Sequence, residues 1–232
     1  MKKTLDRSEE INTDADANIK GIALQKLRTV ERLLKALLDN RRCIFCTIEH
    51  IDDVLEINME QDGTKYITEQ NKSYATPFSM NSGEIKNSLR IFFDNWRKVE
   101  ESESITFVFY TNTTISKENK VGVLKDIESK LPKNPLLDLL INKEYDLAFP
   151  FVLPIFKNYY IEQHRKHSGQ PLYYEQLMES YSDNDWKKFF DRIEWCFGES
   201  DERVTRDNII LLVDTLCSKF DVNVKYVDKI VA

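Results

Sequence analysis

Long hydrophobic runs are missing from this sequence. No stretch approaches the ~20 apolar residues a membrane-spanning helix needs, so no such helix is expected. Met1-Lys2-Lys3-Thr4 is not followed by an apolar segment, which argues against a secretory signal and makes the cytoplasm the default compartment. Glycine and proline are scarce, six of each, which speaks against a loop-rich sandwich. Cysteines number four. Cys43-Ile44-Phe45-Cys46 has a zinc-ligand spacing but lies in an apolar run that reads as strand, where residues three apart point to opposite faces. There is no second such pair, and Cys196 and Cys217 stand far apart. Buried free thiols are therefore expected, not a zinc site. His164 and His167 can share a helix face, but no acidic motif stands nearby in sequence, and they read as surface histidines. Internal repeats and low-complexity segments are absent.

Core-forming residues are plentiful. Apolar side chains make up 41% and aromatics 11% of 232 residues. That is enough for one large domain or two small ones.

The organising stretch is Ile48 to Ser73. Two apolar-alternating runs flank Asp62-Gly63, a dipeptide suited to a type I′ hairpin turn. With those two residues as the central pair, Gln61 faces Thr64, Leu55 faces Gln70 and Asp53 faces Lys72. Side chains alternate faces along a strand, so Asp53, Gln70 and Lys72 fall on one face, with Glu49 able to approach. An acid, an amide oxygen and a lysine so grouped suit a hard divalent cation and a phosphodiester. Asp53 and the Gln70 carbonyl supply oxygen ligands, and the Asn71 backbone carbonyl a third. Lys72 orients or deprotonates a water, or stabilises charge on phosphate. Ordinary charges on a half-exposed strand are the competing reading.

The order of acid, hairpin and Gln-x-Lys, after a helix opening Gly21-Ile22-Ala23-Leu24-Gln25, resembles the PD-(D/E)XK nuclease superfamily. More narrowly, it resembles the double-stranded-DNA endonuclease domain of bacterial anti-phage effectors, CBASS-type and related. The matching residues are Gly21 and Gln25, Glu49 with Asp52-Asp53, and Gln70 with Lys72, across about residues 19 to 112. The superfamily usually has Asp or Glu where Gln70 stands, although the narrower family often carries glutamine. The resemblance implies Mg²⁺ or Mn²⁺ held by Asp53 and Gln70, Lys72 as the catalytic lysine, and Gln25, Glu49 and Asp52 in support. It implies a restriction-endonuclease-like mixed sheet flanked by helices. Glu69 belongs to the opposite face, and a one-residue slip of the hairpin would exchange it for Gln70.

The rest of the chain is read in order. Residues 1–18 are polar and suggest a flexible arm. Apolar residues at 23, 27, 30, 34 and 37 predict a helix from Ile19 to Leu38. Cys43 to Ile48 reads as a short strand. The loop after Lys72, bounded by Pro77, can line the approach to the site. Ser82 caps a helix to about Lys98, with Ile85, Leu89, Phe92 and Trp96 on a core stripe. Ile105 to Tyr110 is a buried strand, and Thr111-Asn112-Thr113-Thr114 ends it.

Beyond Ser116 the pattern is helical. Helices are expected over Val121 to Ser129, from Pro135, over Tyr159 to His167, from Asp183 to about Phe197, and from Thr205. Phe149 to Phe156 holds two prolines that argue against one continuous helix. Val222 to Val227 is a further strand or helix. The organisation is thus an arm over 1–18, a nuclease-like α/β domain over 19–130, and an α-helical subdomain over 131–232 for scaffolding or interaction. No sensor module is evident, which leaves it on a partner chain or on residues beyond Ala232.

The charge balance is net −6, with a pI near 5.3. It opposes a stand-alone non-specific DNA binder. A nuclease of this balance needs a local basic patch, a partner or tight autoinhibition. The partners expected are double-stranded DNA and a second copy or a defence complex with a separate regulator. A non-enzymatic scaffold subunit on a nuclease-like fold is the alternative, and an RNase on the same fold a further one.

Overall fold

The computed structural model describes residues 8–41, 44–48, 54–60, 63–98, 104–127, 130–168 and 171–221. Helix α1 (Ser8–Leu38) leads into strands β1 (Ile44–Ile48), β2 (Val54–Glu60) and β3 (Gly63–Lys72). Helix α2 (Gly83–Trp96) crosses to β4 (Ser104–Thr111). A 3₁₀ turn (Gly122–Lys125), α3 (Leu136–Ile141), α4 (Tyr145–Ser168), α5 (Pro171–Glu179) and α6 (Asp183–Phe190) follow. The chain then forms β5 (Ile193–Cys196) and α7 (Glu202–Lys219).

Five strands, among the described residues, make one sheet in sequence order. β1, β2 and β3 are antiparallel, while β4 and β5 run parallel to β3. The α2 crossover makes the β3–β4 pair parallel, because two parallel neighbours cannot be joined by a tight turn. This is the mixed, helix-flanked, restriction-endonuclease-like sheet expected, with a helical C-terminal region.

The hairpin forms with a different register. Glu60 pairs with Gly63, and Leu55 lies opposite Thr68, not Gln70. The expected register would set Glu56 directly opposite Glu69, and like charges so placed repel. In the observed one Glu56 faces Ile67 and Glu69 faces Val54. The shift is two residues, the period of a strand, so every side chain keeps its face.

Three further expectations are corrected. α1 begins at Ser8, not at Ile19, so much of the polar segment is helical. α4 runs unbroken through Pro150 and Pro154. Each proline removes a helix hydrogen bond, at about 3 kcal/mol. Burial of Phe149, Phe151, Val152, Leu153, Ile155 and Phe156 around them offsets that, at roughly 1.5–3 kcal/mol per side chain. The helix expected to reach Phe197 stops at Phe190, where Ser182 and Asp185 form its capping box at the other end. Ile193 and Trp195 then join the sheet beside Phe107 and Phe109. Periodicity misled here because aromatic residues serve strands as well as helices.

Smaller differences concern caps and turns. Val121–Ser129 holds only the 3₁₀ turn. Asp201, not Thr205, caps α7, accepting from Arg203 N and Val204 N. Ser82 precedes α2 as expected, but its hydroxyl accepts from Ser79 N at 3.0 Å. Val222 to Val227 and Cys43 lie outside the described residues.

The main hydrophobic cluster runs from Phe78 to Ile193, so residues on both sides of position 130 share it. Phe93 stands at its centre. Its ring lies 5.1–5.8 Å from those of Trp186, Tyr181, Phe189, Tyr160, Phe156 and Trp96. The α2 stripe of Ile85, Leu89 and Phe92 is fully buried in this cluster, as the core reading expects.

Candidate functional site

Helix α1 is fastened across one sheet face by a buried ion network. Arg28 donates Nε to Glu69 Oε1 at 2.9 Å and Nη2 to Oε2 at 3.0 Å. Arg32 donates Nε and Nη2 to Glu69 Oε2 and Nη1 to Glu56 Oε2. Arg41 completes Glu56 at 3.0 Å, and Lys35 reaches Glu31 at 2.8 Å. The Arg28 guanidinium also lies 3.9 Å above the Tyr110 ring. Glu69 is fully buried. Burial pushes its carboxyl up, but Arg32 and Arg28 outweigh that and hold it below the usual carboxylate range. Sequence reasoning missed this network. Its signal was present: Arg28 and Arg32 are one turn apart, and Glu69 lies on the strand face opposite Gln70.

This fastening sets the Gly21–Gln25 stretch of α1 against the end of β3. Between them lies a cleft of ≈ 350 Å³ lined by Gly21, Ile22, Gln25, Asn71, Lys72, Ser73 and Tyr74. The expected Gln25 and Lys72 therefore come together in one concavity. None of the described lining residues is acidic. Gln25 Oε1 is buried there without a hydrogen-bond donor. The walls are positioned from behind. Tyr74 N donates to Asn112 Oδ1 at 3.0 Å, and the Tyr74 ring stands edge-on to Phe78 at 5.3 Å. Ser73 Oγ lies 3.5 Å from Glu202 Oε2 at the start of α7. Burial, then Glu84, pushes the Tyr74 phenol up. The hydroxyl- and amide-rich end of β4 thus reaches the site through Asn112, as a support for the loop.

Gln70 and Lys72 share a face of β3, since they are two apart on one strand. Gln70 is 4% exposed and pairs with Phe109 of β4, while Lys72 is half-buried at the strand's end. Glu69 belongs to the other face and is held by the two arginines, so it does not take the place of Gln70. Glu49, Asp52 and Asp53 lie outside the described residues. Of the expected residues Gln25 and Lys72 line the cleft, while Gln70 is not among its described lining residues and lies on the sheet face opposite the one α1 covers. Among the described residues no three His, Cys, Asp or Glu side chains are grouped to hold a metal. Amide oxygens suit a hard divalent cation, and the orphaned Gln25 acceptor fits a metal-bound water. The acids expected to complete such a set, Asp53 with Glu49 or Asp52, are not among the described residues.

Other chemistry-bearing groups are otherwise engaged. Cys46, Cys196 and Cys217 are free thiols. His164 stacks on Tyr174 at 4.1 Å, and its Nε2 lies 3.7 Å from Asp94 of α2, an acid that sequence distance had hidden. Glu118, also missed, is buried, accepting from Met80 N and Leu136 N at 2.9 Å each. It ties the loop before α2 to the start of α3. A larger groove of ≈ 580 Å³ beside Leu139, Leu147 and Pro150 carries Lys130, Lys133 and Asn134 together with Glu144 and Asp146. No described helix is long and apolar enough to cross a membrane.

No family model matches the chain, and no curated protein matches it. Among solved structures, it is similar to the Acinetobacter baumannii Cap4 SAVED/CARF-domain containing receptor with the cyclic trinucleotide 2′3′3′-cAAA. The TM-score is 0.45 and the identity 10%, over 85% of this chain and 36% of that one. The Moraxella osloensis Cap4 SAVED/CARF-domain containing receptor gives a TM-score of 0.43 and 12% identity, over 91% and 40%. The chain thus spans well under half the length of these receptors.

Proposed function

We propose that this chain is a metal-dependent double-stranded DNA endonuclease, an effector of anti-phage defence whose cutting is set off by a partner or signal. One observation carries the reading. Lys72 closes β3 in a cleft that it shares with the unpartnered Gln25 oxygen, and it stands on the strand face of Gln70. In a chain of net charge −6, a concavity lined by a lysine, amides and hydroxyls suits a phosphate-bearing ligand.

The residue roles follow from chemistry. The Lys72 ammonium holds a non-bridging phosphate oxygen or orients the attacking water. The Gln25 carboxamide accepts from that water and fixes its direction. Gln70, held in the sheet, would share a metal ion with Asp53. A bound Mg²⁺ or Mn²⁺ would supply a lowered water pKa and neutralise charge on the phosphate. Water attacks phosphorus, the phosphodiester P–O bond breaks, and the leaving oxygen takes up a proton.

The acidity of the chain and an amide in a carboxylate's place favour a second reading, a scaffold subunit that keeps the fold and binds a partner. The test is cleavage of linear duplex DNA with Mg²⁺ or Mn²⁺ by wild type, Asp53→Ala and Gln70→Ala, alone and with co-purifying partners. Cleavage by wild type that both substitutions abolish supports the enzyme. No cleavage under any of these conditions supports the scaffold.

A further inference from the structure

Gly21 sits inside α1, far from either end of the helix. Glycine in a helix interior is about 1 kcal/mol less favourable than alanine. The usual reasons for tolerating it are missing. Gly21 does not have the positive φ that would demand glycine. A Cβ built there meets no protein atom within 4 Å, so no neighbour requires the bare backbone. What Gly21 does is form a wall of the cleft, one turn before Gln25, with Lys72 among the facing residues.

We infer that Gly21 is a contact position for the sugar–phosphate backbone of bound duplex DNA. Its missing side chain lets the strand approach the helix closely enough for its phosphate to meet Lys72. This rests on the endonuclease reading of the same cleft. The ligand chemistry comes from the lining. Among the described lining residues, a lysine, two amides and two hydroxyls suit a phosphodiester. A Cβ there meets only open space on the protein side, so a side chain at 21 would project into the space a bound strand would take.

Gly21→Ala and Gly21→Leu, compared with wild type and Lys72→Ala, test this. Melting temperature is followed alongside the affinity for a fluorescein-labelled duplex, measured without divalent cation so that no strand is cut. Both Gly21 variants are expected to melt at or above the wild-type temperature, since either residue favours helix more than glycine. Duplex affinity is expected to fall in the order Ala then Leu, by about tenfold or more for Leu. Wild-type affinity in a folded Gly21→Leu protein would overturn the role of Gly21 and leave the endonuclease reading standing. A loss of affinity matched by an equal loss of melting temperature in both variants would assign Gly21 to folding and overturn it too. A wild-type protein that neither binds nor cuts duplex DNA would overturn the reading itself, and the inference with it.

Discussion

Arg28 grips Glu69 with two parallel hydrogen bonds, of 2.9 and 3.0 Å, across the gap between α1 and β3. Bidentate pairing fixes orientation as well as distance. The pair therefore decides where the Gly21–Gln25 stretch of α1 lies against the end of β3. Removing one partner leaves a buried charge uncompensated. Arg28→Ala is expected to lower unfolding free energy by about 3–5 kcal/mol, read by urea denaturation. A loss within experimental error would show that the network does not hold the helix.

The same carboxylate gives an acid limit to stability. Burial raises the Glu69 pKa, the arginines lower it more, and the net shift is downward from 4.5. Its contribution is therefore fully present above the unfolded value and is lost as pH falls through the folded one. Stability is expected to decline with acid from about pH 5 downward. Glu69→Gln should be less stable at neutral pH and should show a flatter acid limb. Parallel pH profiles for the two proteins would contradict this.

Phe93 packs among the rings of α2, α4 and α6, and its own ring is fully buried. Phe93→Ala is expected to cost about 3–5 kcal/mol through lost contacts and the cavity left behind. Calorimetric melting measures it. A change below ~1 kcal/mol would mean that the cluster collapses around the vacancy.

Burial pushes the Cys46 thiol up to about 11, with Glu56 adding to the shift. Burial, then Glu194 and Glu199, pushes Cys196 up to about 12. Little thiolate exists at neutral pH in either case. Alkylation followed by mass spectrometry should label both slowly in native protein and quickly in denaturant. Fast native labelling of either would contradict the packing described.

Much of this architecture was legible in the sequence, and the failures have physical causes. The α1 helix, the hairpin, the Ile85–Leu89–Phe92 face of α2 and the buried β4 strand follow from periods of 3.6 and 2, but the stripe read on α1 is not its buried face: Val30 and Leu37 are exposed, while Leu24, Glu31 and Ala36 are buried. The hairpin register was misread because Asp62-Gly63 speaks for a turn, while the repulsion between Glu56 and Glu69 depends on contacts across strands. Ile193–Cys196 was misread as helix because its place beside β4 is set by residues some 85 positions earlier. At the site, the pairing of Gln70 with Lys72 on one face needs only strand alternation. The approach of Gln25 to Lys72 depends on how α1 is clamped, and four residues that hold the clamp, Arg28, Arg32, Glu56 and Glu69, were not read as partners.

The most direct test of the central claim is plasmid nicking and linearisation by purified wild type and Lys72→Ala, with Mg²⁺ or Mn²⁺ and with any co-purifying partner. Lys72 is half-buried at a strand end, so the variant should keep the wild-type melting curve. The expected result is metal-dependent cutting by wild type and a loss of roughly a hundredfold or more in the variant, the scale of removing a group that stabilises charge in the transition state. Equal cutting by both proteins would contradict the account.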